Sequence, residues 1–260
     1  PAGGRLTPGN GLADLSIVVP AYNESARLPG TLAALAAHYD DAPTAPEIIL
    51  VDDGSDDDTL QLMESWRGPR GDSHAVSIPH AGKAHAVRAG VERAGRDRVL
   101  FMDADLAVPL TEVPLLTTAL DAGADIAIGS REIPGARRDA ESLIRHSRGR
   151  LFNWLVSLFA VRGIKDTQCG FKAFATPVAR HLFASSRLHQ QPPARLNGPS
   201  VTAFDVELLF LASRLGYSIA EVPVQWRHVP GSKVDSLRDP LRMTLEVLRI
   251  RLNALIGRYP

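Results

Sequence analysis

Apolar residues in the first half of the chain come in short, unbroken runs, each closed by polar or turn-forming residues. Leu15-Ser16-Ile17-Val18-Val19 ends at Pro20, and Glu47 to Val51 stops at Asp52-Asp53-Gly54-Ser55. Ala75 to Ile78, Arg98 to Met102 and Ala124 to Gly129 repeat the pattern. Runs this short and apolar, several of them β-branched, predict strands buried on both faces. Between them the period changes. Leu28, Leu32 and Leu35 give Ser25 to His38 a helical spacing, and Thr59 to Trp66, Lys83 to Ala94 and Leu115 to Ala122 fill the other gaps. Strands alternating with helices predict βαβ units, hence an α/β fold with a mainly parallel sheet and helices on both faces.

The alternation fades after residue 130. Arg131, Arg137, Arg138, Arg145, Arg148 and Arg150 make the next segment basic, and an apolar stretch from Leu151 to Val161 follows it. A helix is expected from Phe204 to its stop at Gly216, and a short strand from Ala220 to Trp226. In the tail, leucines at 237, 241, 245, 248, 252 and 255 recur three or four apart, with Arg238, Arg242 and Arg249 on another side. The expected organisation is a Gly/Pro-rich flexible lead-in over 1–14, one domain over 15–236, and an amphipathic C-terminal helix over 237–260. That helix packs either on the domain or on a membrane surface.

Composition narrows the functions available. The 260 residues carry a formal net charge of +0, which argues against a nucleic-acid binder held by a global positive field. One cysteine, Cys169, leaves no internal disulfide and fits a reducing compartment. It reads as a small buried residue, since no activating histidine stands near it in sequence. No apolar run approaches the roughly 20 residues that cross a bilayer, and no leader pattern is legible. Lying on a membrane remains open to such a chain.

The polar clusters sit where the predicted strands end. In a parallel sheet the crevice beyond the C-terminal strand ends is the binding site. Strand one runs into Pro20-Ala21-Tyr22-Asn23-Glu24, strand two into Asp52-Asp53-Gly54-Ser55, strand four into Asp103-Ala104-Asp105, and strand five into Gly129-Ser130-Arg131. Each alone is also an ordinary capped turn. Asp103 and Asp105 are the most telling, because two carboxylates ending a buried strand repel unless a cation joins them. Taken as extended backbone, the pair points one way and suits a hard divalent cation with phosphate co-ligands. A solvated strand end with a helix cap is the plain alternative.

The ordered set VVPAYNE, VDDGSDDDT, GKAHAVRAG, FMDADLAVP, GSR and DTQCGFKAF resembles the family 2 glycosyltransferases of GT-A, Rossmann-like fold, over about residues 15 to 257. Within them the chain looks most like the polyprenyl-phosphate sugar synthases, and DTQCGFKAF, FDVELL and PVQWRH look closest to the dolichyl-phosphate β-glucosyltransferase branch. The resemblance implies that Pro20, Ala21, Tyr22 and Glu24 line a nucleotide pocket, with Asp53 or Asp52 reading base or ribose and Gly82 and Lys83 beside the nucleotide. It implies that Asp103 and Asp105 hold Mg²⁺ or Mn²⁺ against the diphosphate of a UDP-sugar. Mannosyl relatives often carry a glutamine as a further metal contact where this chain has Ala107.

The implied acceptor, a polyprenyl or dolichyl phosphate, changes what catalysis needs. A phosphate monoester has its second pKa near 6, so a nucleophilic dianion exists without a general base. The burden shifts to holding anions together, a task for metal and arginine. Arg131 is the expected clamp, with Arg138, Arg145 or Arg148 as helpers, the whole run being otherwise a solvated surface. Asp166 and Gln168 would lie near the sugar or acceptor. Asp205 would orient a basic side chain or act as base, unless it and Glu207 are first-turn acids of a helix. His228 is either near the diphosphate or structural. The 151–161 stretch, with Phe152, Trp154 and Phe159 beside arginines, reads as an interfacial helix or a buried one. The resulting expectation is an inverting, metal-assisted hexosyltransferase, peripheral on the cytosolic face of a membrane. Alternatives are GDP-mannose or a UDP-N-acetylhexosamine as donor, a non-lipid acceptor, or a nucleotide-binding membrane protein without turnover. Oligomeric state is not legible.

Overall fold

A computed structural model describes residues 11–139, 163–191, 202–229 and 238–260. Arg145, Arg148, Arg150 and the 151–161 stretch lie outside the described residues, as does most of the lead-in, whose last four residues form a 3-10 turn, Gly11–Asp14.

The predicted runs become strands β1 (Leu15–Ala21), β2 (Glu47–Asp52), β3 (Ser73–Ser77), β4 (Arg98–Phe101) and β5 (Ile126–Ser130). The helices between them are α1 (Leu28–Tyr39), α2 (Thr59–Ser65), α3 (Lys83–Arg93) and α4 (Val113–Asp121). After β5 come β6 (Arg137–Asp139), β7 (Lys172–Ala175), α5 (Thr176–Ser185), α6 (Phe204–Arg214), β8 (Ile219–Pro223), β9 (Gln225–Arg227) and α7 (Arg238–Leu255). The main sheet has the order β3-β2-β1-β4-β7-β5-β8, parallel throughout except that β7 runs antiparallel between β4 and β5. β6 and β9 form a small parallel ribbon. The strand expected over 220–226 is thus two strands in two sheets, divided at Val224.

Each central strand feeds two cores, which is why it reads as an unbroken apolar run. From β1, Leu15, Ile17 and Val19 join α1 and α4 on one face, while Val18 joins α3 on the other. α5, α6 and the inner side of α7 complete that second face. Gly90 lets α3 lie close on the sheet: a Cβ there would sit 2.3 Å from Val18 Cγ1. α7 docks through Met243, Val247 and Ile250, and its buried Glu246 accepts the Ala203 N–H at 2.6 Å, fixing it to the start of α6.

The antiparallel β7 matters most for the site. It begins at the edge where its neighbours end, so the loop before it, 166–171, comes to the C-terminal ends of β4 and β5. There Phe171 O accepts the Gly129 N–H at 2.8 Å.

Candidate active site

The polar ends of β1, β2, β4 and β5 do meet along one edge. Asp52 and Asp53 are buried at the end of β2, and their carboxylates serve the backbone. Asp52 accepts from Ser55 N at 3.2 Å and Ser77 Oγ at 3.2 Å. Asp53 accepts from Ala81 N at 2.9 Å, Gly82 N at 2.9 Å and His80 Nδ1 at 2.9 Å. That grip shapes the loop into α3, with Gly82 at φ 92, a left-handed conformation suited to glycine. Tyr22, following the buried Pro20 and Ala21, stacks on His80 with ring centroids 3.9 Å apart and planes 6° apart. The two loops are laced together: Glu24 N donates to Thr59 Oγ1 at 2.8 Å, and Asn23 N to Ser55 Oγ at 2.9 Å. Arg27 Nη1 donates to Glu24 Oε2 at 3.0 Å. Asp53, His80 and Tyr22 are thereby held together at the ends of β1 and β2.

The Asp103–Asp105 pair corrects one expectation. β4 ends at Phe101 and the chain turns at once, Leu106 N donating to Asp103 O at 3.3 Å and Leu106 taking φ 52. A turn rather than strand alternation sets the two carboxylates, which lie near enough to repel each other and both to feel Lys83. Asp105 Oδ1 accepts from Ala107 N at 3.0 Å, and Ala107 O accepts from Arg227 N at 2.8 Å, tying the turn to β9. Burial and then repulsion from Asp103 raise the Asp105 pKa. Asp103 is 41% exposed and forms an ion pair with Lys83, the first residue of α3. Behind it is Gly170, where a Cβ would lie 2.2 Å from Asp103 Oδ2. Two close carboxylates, one exposed and one raised in pKa, with a side-chain-free glycine behind them, fit an oxygen-ligated divalent cation.

Arg131, Asp166 and Gln168 also converge. Arg131 gives Asp166 three hydrogen bonds: its backbone N to Oδ2 at 2.9 Å, Nε to Oδ2 at 2.7 Å and Nη2 to Oδ1 at 2.9 Å. Asp166 is fully buried, and despite that burial Arg131 holds its pKa down at about 2. The guanidinium lies 5.7 Å from the Trp226 ring centroid, and His228 leans on the same ring. Arg138 donates Nε to Arg131 O at 3.2 Å and pairs with Glu132. In the same loop the Gln168 Nε2 and Thr167 Oγ1 atoms are buried without a hydrogen-bond partner.

Asp205, in the first turn of α6, accepts from the buried Lys172 Nζ at 3.0 Å, and Lys172 also donates to Cys169 O at 2.5 Å. Glu207, one turn-neighbour on, is turned away into the packing: its Oε1 accepts from Arg187 N and Tyr259 Oη, each at 2.6 Å. Cys169 is buried and its thiol pKa is pushed up to about 11, which suits a packing residue rather than a nucleophile. Gly170, Lys172, His80 and Trp226 are the residues that motif reading passed over. All lie within or beside quoted motifs, but their partners are distant in sequence.

Among the described residues, one group of three has metal-ligand spacing, Glu47, Asp72 and His74. It sits at the opposite edge of the sheet, and its members are already bonded. Glu47 Oε2 accepts from Ser16 Oγ at 2.5 Å and Gly95 N at 2.8 Å, while Arg93 Nη2 lies 3.1 Å from His74 Nδ1.

Comparison with known proteins gives the family and the fold. The model for glycosyl transferase family 2 matches residues 16–182. The chain is 35% identical to the dolichyl-phosphate beta-glucosyltransferase of Drosophila melanogaster, covering 95% of this chain and 77% of that protein. With the enzyme of the same description from Homo sapiens, identity is 33% over 94% of this chain and 77% of that one. Among solved structures, mannosyl-3-phosphoglycerate synthase from Rubrobacter xylanophilus superposes with a TM-score of 0.62 at 21% identity, covering 95% of this chain and 76% of that one. Glucosyl-3-phosphoglycerate synthase from Mycobacterium tuberculosis, in complex with Mn²⁺ and UDP-glucose, also gives 0.62, at 22% identity, covering 95% and 79%. The fold is therefore GT-A.

Proposed function

The chain belongs to glycosyl transferase family 2 and is a glycosyltransferase; from that premise we propose that it moves glucose from UDP-glucose to a dolichyl-type polyprenyl phosphate. The observation that carries this is the Asp103–Asp105 pair at the strand ends, with Lys83 paired to Asp103 and the Tyr22–His80 stack on the neighbouring strand ends. The relatives described above are named for glucosyl transfer to dolichyl phosphate, and the Mycobacterium structure pairs UDP-glucose with Mn²⁺ on the same fold.

In this reading Asp103 and Asp105 hold Mg²⁺ or Mn²⁺, which when bound neutralises charge on the departing diphosphate. Tyr22, His80 and the loop fixed by Asp53 receive the nucleoside. Arg131 is held rigid by Asp166 and Trp226 and presents a fixed positive edge to the acceptor phosphate. Gln168 and Thr167, with unmatched buried polar atoms, face the sugar hydroxyls. An acceptor oxygen bonds to C1 as the C1–O bond to UDP breaks, with inversion. No residue need remove a proton, so Asp205 orients Lys172 rather than acting as base.

The lipid acceptor is further supported by α7. No described helix is long and apolar enough to cross a membrane. Yet Leu245, Leu248, Leu252, Leu255 and Ile256 are exposed along α7 and its end, beside exposed Arg242, Arg249 and Arg251, while its Glu246 points inward. A basic helix with an apolar outer stripe suits an anionic lipid surface on the cytosolic side.

The test is transfer of radiolabelled glucose from UDP-glucose with Mn²⁺, offering dolichyl phosphate and 3-phosphoglycerate as rival acceptors and GDP-mannose as rival donor. Label entering the organic phase only with dolichyl phosphate, and lost in Asp105→Asn, is expected. Label on 3-phosphoglycerate, or unchanged turnover in that variant, refutes the assignment.

A further inference from the structure

Asp103 already has a cation. Lys83 sits on its Oδ1 side, Gly170 closes off its Oδ2 side, and the pair lies at the crevice surface, with Lys83 33% and Asp103 41% exposed. The local charges nearly balance. Asp103, Asp105 and Asp205 face Lys83 and Lys172, and Lys172 is buried and committed to Asp205 and Cys169 O. Lys83 is therefore the cation paired directly with Asp103, while Asp105 feels Arg27 as well as Lys83.

A divalent ion approaching this pair meets a like charge on its ligand. Lys83 opens α3 on a loop fixed by Asp53, so only its four-carbon stem has to swing to release Asp103. Swinging into water with nothing to receive it forfeits the ion pair. Swinging onto a diphosphate does not, because the phosphate oxygens replace the carboxylate. Resting on the reading of Asp103 and Asp105 given under Proposed function, we propose that Lys83 is a resident counter-ion of Asp103 which the donor's diphosphate draws off. Divalent cation and nucleotide then bind as a coupled pair, and the cation alone binds poorly. By linkage the coupling is reciprocal: the cation strengthens nucleotide binding by the same factor.

Mn²⁺ binding to the whole chain, followed by loss of the free-ion electron paramagnetic resonance signal and corrected for Mn²⁺ held by UDP alone, tests this. UDP should tighten Mn²⁺ on the unmodified protein by about tenfold or more. Lys83→Met keeps the stem and removes the charge. It should bind Mn²⁺ without UDP about tenfold more tightly than the unmodified protein, and UDP should then tighten Mn²⁺ by a smaller factor than it does on the unmodified protein. Lys83→Gln is a second neutral variant should the first fold poorly, and Lys83→Arg should keep the weak, UDP-dependent binding. Lone-Mn²⁺ affinity unchanged or weakened in both neutral variants overturns the inference; if Asp103→Asn still abolishes Mn²⁺ binding, the metal site itself stands. Should Asp103→Asn and Asp105→Asn bind Mn²⁺ like the unmodified protein, the metal site falls, and this inference with it.

Discussion

Arg131 and Asp166 show how a single buried pair ties the candidate site to the stability of the fold. Asp166 is fully buried and depends on Arg131 for three hydrogen bonds, so removing the arginine strands a buried carboxylate. Arg131→Ala should cost about 3–5 kcal/mol at neutral pH, read from urea unfolding. The sign of the pH dependence follows from the pKa held down at about 2. The pair's contribution is fully present above the unfolded carboxylate pKa near 4 and is lost as pH falls toward 2, a loss of roughly 2–3 kcal/mol. Asp166→Asn should flatten that acid limb; an unchanged limb contradicts the assignment. At this scale the acids were legible in the sequence and their partners were not. Asp103 and Asp105 announced themselves by ending an apolar run, but neither Lys83 as partner nor Gly170 as backing leaves a local trace. Asp52 and Asp53 read as ligand contacts from their motif, yet their carboxylates are taken up by backbone N–H groups and by His80 and Ser77.

Among elements, α3 carries the most consequence because its first residue is Lys83 and its middle touches the sheet. Gly90 admits that contact. Gly90→Ala would drive a methyl to 2.3 Å from Val18 Cγ1, so either the helix lifts or the strand shifts. Thermal unfolding should show a loss of about 1–3 kcal/mol, and nucleotide affinity should fall with it as Lys83 moves. Full stability would mean that α3 does not lie this close. The parallel strands were legible because burial on both faces leaves an apolar run. β7 was not: Lys172-Ala173-Phe174-Ala175 is four residues long, opens with a buried lysine and runs straight into α5. The period-2 reading of Asp103 and Asp105 failed because strand pairing ends at Phe101, one residue before the end of the apolar run and two before Asp103.

At the scale of the whole molecule, the proposed function rests on two surfaces, the polar strand ends and the exposed outer side of α7. The tail pattern of leucines disclosed a two-sided helix, but not which leucines face out, since spacing alone cannot say where the domain sits. The structure settles it: Met243, Val247 and Ile250 go inward while Leu252 and Leu255 stay exposed. Leu248→Glu with Leu252→Glu should abolish co-sedimentation with anionic liposomes and leave the melting temperature nearly unchanged. Retained sedimentation removes α7 from the docking surface. The central claim, that Asp103 and Asp105 hold a divalent cation against the donor's diphosphate, is met most directly by anomalous diffraction at the manganese edge from crystals grown with Mn²⁺ and UDP-glucose. One peak is predicted between these carboxylates and the diphosphate. A peak at Glu47, Asp72 and His74 instead, with none at the crevice, would contradict it.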